Sequence, residues 1–289
     1  MAADIGKERY ILTITCPDRT GIVAAVAGFL AKQDCFIAES SHFGDMVTGQ
    51  FFMRTVYLRG SESPPQATLI EQFSAIAGPF RMDWAVYDEK VRPRVLILVS
   101  KLDHCLNDLL YRYRIGALRM EIAAIVSNHP DLADLVAWHR LPFHHLPVTR
   151  ETKSEQEAKI LALVDSHQAE LVILARYMQV LSPAFCEKLP GRIINIHHSF
   201  LPGFKGAKPY RQAHARGVKL IGATAHYVTA DLDEGPIIEQ EVERVDHADT
   251  IEEFVHIGRD IECVVLARAV RHHLERRVLL YGKKTVVFR

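Results

Sequence analysis

The feature that most restricts the fold of this chain is a series of short, almost unbroken apolar runs after residue 93. These runs are rich in Val, Ile and Leu and occupy residues 94–100, 121–128, 170–176 and 192–198. Stretches with the apolar spacing of helices separate them, at residues 105–113, 131–139 and 154–167. Strands that are apolar on both sides are typical of parallel sheets covered by helices on both faces. We therefore expect a mostly parallel, Rossmann-like α/β sheet.

Two more strands are predicted to extend this sheet. The segments IGATAHYVT, which begins at Ile221, and PIIEQEVERV, which begins at Pro236, follow one another after only a short gap. A gap of that length suits an antiparallel connection. A long amphipathic helix is predicted next, over residues 250–276.

The N-terminal part of the chain shows a different order of elements. Strands are predicted at residues 9–15, CFIAESSHF, GQFFMRTVYLR and RMDWAVYD, and helices at residues 17–33 and 67–77. This β-α-β-β-α-β order predicts a split, ferredoxin-like domain over residues 1–88. The charged segment EKVRPR, residues 89–94, is interpreted as a linker, and residues 95–289 then form the α/β domain.

Composition excludes several classes of function. Lys plus Arg and Asp plus Glu are equal at 35 each, without a block of like charge, so neither nucleic acid nor an anionic membrane is an expected partner. The cysteines lack C-x-x-C spacing and are Cys16, Cys35, Cys105, Cys186 and Cys263. Free thiols in a reducing compartment are expected rather than disulfides. With no apolar leader in MAADIGKERY, a cytoplasmic location is expected.

Polar residues follow one of the apolar strands directly. In IINIHHSFLPGFK, Asn195 and His197 lie at a predicted strand end, where open α/β sheets bind ligands. A later loop carries Asp231, Asp233 and Glu234. An amide and an imidazolium can stabilise an oxyanion, and a carboxylate can orient the imidazole or move protons, so the set suits addition to a carbonyl. The alternatives are a turn cap, a structural histidine and a solvated acidic turn, because spacing alone does not bring these groups together.

The order of these residues resembles that of the formyltransferase family that uses 10-formyltetrahydrofolate. The family pattern is Asn-x-His and Ser-x-Leu-Pro, followed by His-x-x-x-x-x-x-Asp-x-Gly. The matching positions are Asn195, His197, Ser199, Leu201, Pro202, His226, Asp233 and Gly235. The resemblance covers the chain from about Arg94 onward and implies a catalytic trio of Asn195, His197 and Asp233.

The same resemblance implies a folate pocket. The segment ARYMQVLSP, which begins at Ala175, is similar to the segment whose backbone binds the pterin ring in that family. The loop from Ala230 to Asp233 resembles the opposite wall of the pocket. The implied substrate-binding residues are Met178, Gln179, Val180, Leu181, Ala230, Asp231 and Leu232.

The N-terminal segment CPDRTGIVAAVAGFL resembles an ACT domain, a β-α-β-β-α-β regulatory unit that often pairs and binds amino acids. The resemblance implies an amino-acid effector near Asp18, Arg19 and Gly21, and a homo-oligomer. The alternative for this turn is a plain helix start with an Asp cap. An ACT domain ahead of a formyltransferase-like domain is the architecture of the formyltetrahydrofolate deformylase family. That family's activity would be hydrolysis of 10-formyltetrahydrofolate to tetrahydrofolate and formate, which supplies purine synthesis and balances one-carbon folate pools.

The acceptor distinguishes hydrolysis from formyl transfer. Glycinamide ribonucleotide transformylases follow their first strand with a glycine-rich loop whose amides bind phosphate. Here VSKLDHCLNDLL, residues 99–110, contains no glycine, which argues against a phosphorylated acceptor and permits water. Transfer to an amine such as glycinamide ribonucleotide remains the alternative. Transfer to methionyl-tRNA is less favoured because the additional domain comes first and carries no basic signal.

A non-catalytic folate or amino-acid sensor is a further alternative, but it would not need the complete trio of Asn195, His197 and Asp233. No metal or redox cofactor is expected, since no H-E-x-x-H or similar ligand spacing occurs. The roles of His198 and His226 stay open at this point. The pairs His144–His145 and His272–His273 are predicted to lie at the surface.

Overall fold

The structure is a computed structural model that describes residues 8–203 and 209–289. Residues 1–7, which belong to the predicted first domain and to the segment searched for a leader, lie outside the described residues. The same holds for residues 204–208, which follow the Leu-Pro-Gly stretch. The chain forms two compact units. The first comprises Met1–Arg92, Arg276–Leu279 and Val286–Arg289, and the second comprises Pro93–Glu275 and Leu280–Thr285.

The first unit contains an antiparallel four-stranded sheet and two helices. Its elements are β1 (Arg9–Pro17), α1 (Ile22–Lys32), β2 (Cys35–Asp45), β3 (Gln50–Arg59), α2 (Gln66–Phe80) and β4 (Asp83–Asp88). The strands lie in the order β2-β3-β1-β4, and each neighbouring pair is antiparallel. The β-α-β-β-α-β order predicted from the sequence is therefore present. Alternate β1 side chains such as Leu12 and Ile14 pack with Val26 and Phe73 of the helices in one apolar core.

The second unit is built on a seven-stranded mixed sheet. Its strands are β5 (Arg94–Val99), β6 (Glu121–Ser127), β7 (Phe143–His145), β8 (Leu171–Leu174), β9 (Ile193–His197), β10 (Leu220–Tyr227) and β11 (Ile237–Arg244). They lie in the order β11-β10-β9-β8-β5-β6-β7. The pairs from β9 to β7 are parallel, and β10 is antiparallel to both β9 and β11. The predicted mostly parallel sheet with antiparallel additions is confirmed.

Helices and a short terminal sheet complete the chain. They are α3 (His104–Arg114), α4 (Ala133–Trp138), α5 (Lys153–Ser166), α6 (Pro183–Lys188), α7 (Pro209–Ala215), α8 (Ile251–Leu274), β12 (Val278–Tyr281) and β13 (Lys284–Val287). Helix α8 begins at a capping box, in which the Thr250 hydroxyl accepts from the Glu253 amide and the Glu253 carboxylate accepts from the Thr250 amide. Its buried face includes Ile261, Val265 and Leu266. This helix carries Glu262, a buried acidic residue, into the second unit.

One pair of predicted surface histidines proves to be partly internal. His272 is only 6% exposed, and its Nε2 atom lies 3.5 Å from a carboxylate oxygen of Glu239. His273 forms a 2.7 Å hydrogen bond between its Nδ1 atom and the Tyr227 hydroxyl. Both residues lie in the last turn of α8, and the buried face of the helix includes His272. The prediction was therefore wrong for His272, because two adjacent histidines in a helical segment do not show which face of the helix is buried.

No disulfide forms among the cysteines, which are all free thiols, and four of them are buried. Within residues 8–203 and 209–289, none of the helices is both long and apolar enough to cross a bilayer.

Candidate active site

A cavity of about 520 Å³ opens in the second unit at the carboxyl ends of β8 and β9. In α/β sheets this edge collects the residues that follow parallel strands, so side chains distant in sequence meet there. Every residue predicted to act in catalysis or folate binding lines this one cavity. They are Asn195, His197, Asp233, Met178, Gln179, Val180, Leu181, Ala230, Asp231 and Leu232.

The register between β9 and β10 brings the catalytic candidates together. His226 lies opposite Asn195 in this antiparallel pair, and the Asn195 Nδ2 atom is 3.3 Å from His226 Nε2. Asp233 follows in the loop after β10, and its Oδ1 atom is 3.4 Å from His197 Nδ1. The same oxygen is 3.8 Å from His226 Nε2. The amide, the imidazole and the carboxylate of the predicted trio therefore converge, with His226 as a fourth member.

The tautomer of His226 follows from its backbone contact. Its Nδ1 atom lies 2.9 Å from the carbonyl oxygen of Tyr227, which can only accept, so Nδ1 donates. Burial lowers the pKa of His226, so the ring is neutral. Its Nε2 atom then accepts a hydrogen bond from the Asn195 amide. This bond uses one amide hydrogen of Asn195 and leaves the other for the cavity.

A compact turn places Asp233. Asp233 adopts a left-handed backbone conformation with φ of 56°, which Asp tolerates better than most residues. At Gly235, an added Cβ atom would lie 1.7 Å from the carbonyl oxygen of Tyr227. Only glycine fits that close approach, because backbone atoms cannot move aside. The Asp-x-Gly spacing is therefore the local requirement for returning the chain past β10 with the carboxylate in the cavity.

The charge on Asp233 is set by opposing effects. Burial raises the pKa of its carboxyl group, but the hydrogen bond from His197 and the nearby imidazoles outweigh it, so the pKa falls below its ordinary value. An ionised Asp233 therefore holds the Nδ1 side of His197. The other ring nitrogen of His197, Nε2, is buried and has no hydrogen-bond partner among the described residues. That atom is available to a substrate oxygen in the cavity.

The loop after β8 carries the residues that the resemblance assigns to the pterin, and they line the cavity. Arg176 opens this loop in a left-handed conformation with φ of 63°. The amide of Met178 donates a 3.0 Å hydrogen bond to the Ser100 hydroxyl, which donates in turn to Asn128. Met178 and Val180 are 55% and 56% exposed, respectively. A backbone fixed by this hydrogen bond, with exposed apolar side chains beside the cavity, suits a flat aromatic ring.

Sequence reasoning missed a second polar group in the same cavity. The buried carboxylate of Glu262 accepts hydrogen bonds from His104 Nε2 at 2.8 Å and from the Tyr210 hydroxyl at 2.7 Å. Its Oε2 atom also lies 3.3 Å from Arg176 Nε. We refer to His104, Arg176, Tyr210 and Glu262 as the Glu262 cluster. These residues come from four separate parts of the chain, so no local motif marks them.

One sequence signal for the Glu262 cluster does exist. Gly258 lies inside α8, where glycine normally weakens a helix. A Cβ atom at this position would lie 2.1 Å from Cζ of Tyr210. The glycine therefore makes room for the tyrosine ring, and an isolated glycine within a helical pattern is the feature that could have indicated a close contact.

His104, Cys105 and Glu262 also place potential ligand atoms within 4.8 Å of one another. Their chemistry does not favour a metal. The Glu262 carboxylate already accepts from its neighbours. The hydrogen bond with Cys263, burial and the charge of Glu262 together hold the pKa of the Cys105 thiol well above its ordinary value, so it stays protonated.

The predicted effector residues lie in the first unit. Asp18, Arg19 and Gly21 line a cavity of about 580 Å³ together with His42 and other residues of β2, β3 and α1. The residue that caps α1 is Gly21, with φ of 99°, and no side chain forms a cap hydrogen bond. The alternative of an Asp cap at this turn is therefore wrong. The Arg19 guanidinium instead lies 4.3 Å from the centroid of the Phe80 ring.

Comparisons with known proteins identify similar chains. A family model described as formyl transferase matches residues 93–270. The formyltetrahydrofolate deformylase of Corynebacterium sp. strain P-1 is 50% identical, with 98% of this chain and 99% of that protein covered. The protein of the same name from Bacillus subtilis is 46% identical over 99% of this chain and 95% of its own.

Solved structures differ in how much of this chain they cover. A formyltetrahydrofolate deformylase from Burkholderia mallei shares 57% identity with a TM-score of 0.93, covering 98% of this chain and 100% of that one. Glycinamide ribonucleotide transformylase 1 from Symbiobacterium toebii shares 28% identity with a TM-score of 0.65. The matched region is 97% of the transformylase but only 70% of this chain.

Proposed function

The chain belongs to the formyltetrahydrofolate deformylase family, and we propose from this premise that it hydrolyses 10-formyltetrahydrofolate to tetrahydrofolate and formate. The observation that carries the proposal is similarity over both units, at 50% identity across 98% of the chain. The transformylase from Symbiobacterium toebii covers only 70% of the chain at 28% identity. Water is therefore favoured over an amine as the acceptor.

In the proposed mechanism, a water oxygen attacks the formyl carbon and the carbonyl electron pair moves onto oxygen. Asn195 and a protonated His197 donate hydrogen bonds to this oxyanion. Asp233 stabilises the imidazolium and helps to take the proton that the water loses. Collapse of the intermediate breaks the bond to N10, which receives a proton through His197 or a water. The 3.4 Å distance between His197 and Asp233 and the unpartnered Nε2 atom of His197 support these roles.

The folate would bind along the same cavity. We propose that the backbone of Met178, Gln179, Val180 and Leu181 contacts one side of the pterin, and that Ala230, Asp231 and Leu232 form the opposite wall. All these residues line the cavity beside the trio, which supports the assignment. No metal or redox cofactor is proposed, because Asn195 and His197 supply the electrostatic stabilisation themselves. Elemental analysis of fully active protein tests this: stoichiometric zinc would contradict it.

For the first unit we propose a regulatory, ACT-type role with an amino-acid effector near Asp18, Arg19 and Gly21. These residues line one cavity of the β-α-β-β-α-β unit. Self-association is proposed through the sheet edge, since β2 is an edge strand with Phe36 and Phe43 exposed. Hydrolysis rates measured with each amino acid, and light scattering after gel filtration, test the two proposals. A flat amino-acid profile or a strict monomer would contradict them.

In the cell, a reaction that releases formate would supply purine synthesis and adjust the one-carbon folate pools. A cytoplasmic location is proposed in keeping with the free cysteines.

The decisive experiment measures formate release from 10-formyltetrahydrofolate with purified protein and no added acceptor. The assay is then repeated with glycinamide ribonucleotide. Rapid release that the nucleotide does not divert is the expected result. Turnover only with the nucleotide would establish a transferase, and folate binding without turnover would indicate a sensor.

A further inference from the structure

His198 lies between two polar groups of the cavity. Its ring centroid is 5.3 Å from that of His197 and 6.1 Å from that of Tyr210. His197 pairs with Asp233, and Tyr210 donates to Glu262. His198 therefore joins the catalytic trio to the Glu262 cluster, and it lines the same cavity.

The ring of His198 is neutral in this position. Burial and the positive charge of Arg176 lower its pKa to about 3. The ring contacts those of His197 and Tyr210 among the residues that the structure describes. A neutral imidazole has one nitrogen that donates and one that accepts. His198 can thus bind a water next to His197, while its low basicity means that it does not retain the water proton.

The Glu262 cluster fixes the surroundings of His198. The Glu262 side chain is 1% exposed, His104 and Tyr210 donate hydrogen bonds to its carboxylate, and Arg176 Nε forms an ion pair with it at 3.3 Å. Such a buried, fully paired carboxylate keeps its neighbours in single positions. The Tyr210 ring also packs directly against α8 at Gly258, where an added Cβ atom would lie 2.1 Å from its Cζ atom. The tyrosine is therefore held as a rigid wall beside His198.

We propose that His198, kept in place by Tyr210 and the Glu262 cluster, positions the attacking water and so makes water the preferred acceptor. This inference rests on the proposed hydrolysis and assigns its acceptor site. In the step, the accepting nitrogen of His198 holds one water hydrogen while the water oxygen forms the bond to the formyl carbon. The proton that the water loses passes to Asp233, and N10 receives a proton from His197 or a water as its bond to carbon breaks. Tyr210 and Glu262 are positioning residues, since they act only through His198.

Competition between water and hydroxylamine tests the inference. Hydroxylamine nitrogen can attack the formyl carbon to give N-hydroxyformamide and tetrahydrofolate, with its proton passing to N10. Loss of positioning by about 1 Å can cost 10²-fold in rate. We expect His198→Asn to lower formate release by about that factor, with the hydroxylamine reaction falling much less, because hydroxylamine does not depend on the water position that His198 holds. The ratio of N-hydroxyformamide to formate should rise by at least about 10-fold, while the affinity for tetrahydrofolate stays unchanged.

Tyr210→Phe removes only the hydroxyl that donates a hydrogen bond to Glu262. This variant should raise the ratio of N-hydroxyformamide to formate by a smaller factor. His145→Asn and Tyr111→Phe are matched controls at exposed positions and should leave the ratio unchanged. If wild-type protein releases no formate, the proposed function fails before the inference is reached. If wild-type protein is active but His198→Asn keeps the wild-type ratio, whether both reactions fall equally or neither falls, the inference is overturned.

Discussion

At the scale of single residues, the site depends on which atom each histidine offers. His226 uses Nδ1 on a backbone carbonyl and Nε2 on Asn195, so neither nitrogen is left for substrate. His197 is arranged in the opposite way, because Asp233 holds Nδ1 and Nε2 remains without a partner among the described residues. His226 therefore orients the amide, whereas His197 can act on the reacting oxygen.

Replacing Asp233 by Asn should keep the turn but remove the charge that supports His197. We expect kcat to fall by about 10²–10⁴-fold, the range for losing a group that assists proton transfer, while affinity for tetrahydrofolate stays close to that of the wild type. Steady-state formate release and equilibrium binding measure the two quantities. Near wild-type kcat in this variant would remove Asp233 from the mechanism.

His226→Leu should act only through Asn195. The variant leaves the amide unoriented, so we expect kcat to fall by about 10-fold, less than the 10²–10³-fold typical of deleting an oxyanion donor outright, as in Asn195→Ala. In a double-mutant cycle the combined variant should match Asn195→Ala alone, since the effect of His226 requires the amide. Independent, multiplying effects would show that His226 contacts the reacting groups by another route.

The sequence anticipates the residues of this site very unevenly. Asn195 and His197 share one strand end and Asp233 lies in a later polar loop, and it was the resemblance to the family pattern that grouped the three. Glu262 meets His104 across 158 positions of sequence, and only the packing of α8 against α3 brings them together. Pairings of this kind depend on tertiary contacts and leave no periodic signal.

At the scale of elements, Gly258 shows how a helix pays in local stability for a contact in the site. Gly258→Ala would ordinarily strengthen an α-helix by about 0.8–1.0 kcal/mol. Here the new methyl would overlap the Tyr210 ring, so we expect loss of stability and slower hydrolysis instead. Gly28→Ala in α1 is the matched control, because no atom lies within 4 Å of its added Cβ. Thermal unfolding of the two variants should therefore shift in opposite directions, and equal gains in stability would contradict the assigned contact.

The long elements were predicted from the sequence, whereas several of the short ones were not. The near-continuous apolar strands and the capped helix α8 carry enough periodic residues to be recognised. Strand β7 has only 3 residues and α6 only 6, so neither repeats its period often enough for the pattern to be recognised. The helix predicted over 250–276 ends at Leu274, and the strands β12 and β13 that follow had no separate signal. Short elements form because tertiary packing supports them.

At the scale of the whole molecule, the chain combines two compact units with different physical tasks. The second unit places buried charges beside its cavity, and their pairing must offset the free energy that desolvation costs. The first unit has an apolar core of ordinary composition and carries the predicted effector turn. The sequence predicts a division after residue 88, through the change from a β-α-β-β-α-β order to apolar strands that alternate with helices. It did not show that residues 276–279 and 286–289 belong to the first unit, because composition does not reveal that the end of the chain comes back to that unit.

Glu262 links the site to the stability of the molecule. Burial raises the pKa of its carboxyl group, but His104, Arg176 and Tyr210 outweigh it and lower the pKa below the ordinary value. A lowered folded-state pKa means that the ionised carboxylate stabilises the fold above its ordinary pKa, and that this contribution is lost as pH falls through the folded-state value. Glu262→Gln leaves Arg176 buried beside a neutral amide, so we expect a loss of about 3–5 kcal/mol in the free energy of unfolding at pH 7.

Urea unfolding followed by circular dichroism measures this loss at a series of pH values. The difference between wild type and Glu262→Gln should be largest near neutral pH and should shrink as acid protonates the wild-type carboxylate. Glu155→Gln is the control, because Glu155 forms an exposed ion pair with Lys159 and should change stability little at any pH. A difference that stays constant down to acidic pH would mean that the loss comes from altered packing, since a charge-based contribution must disappear with the charge.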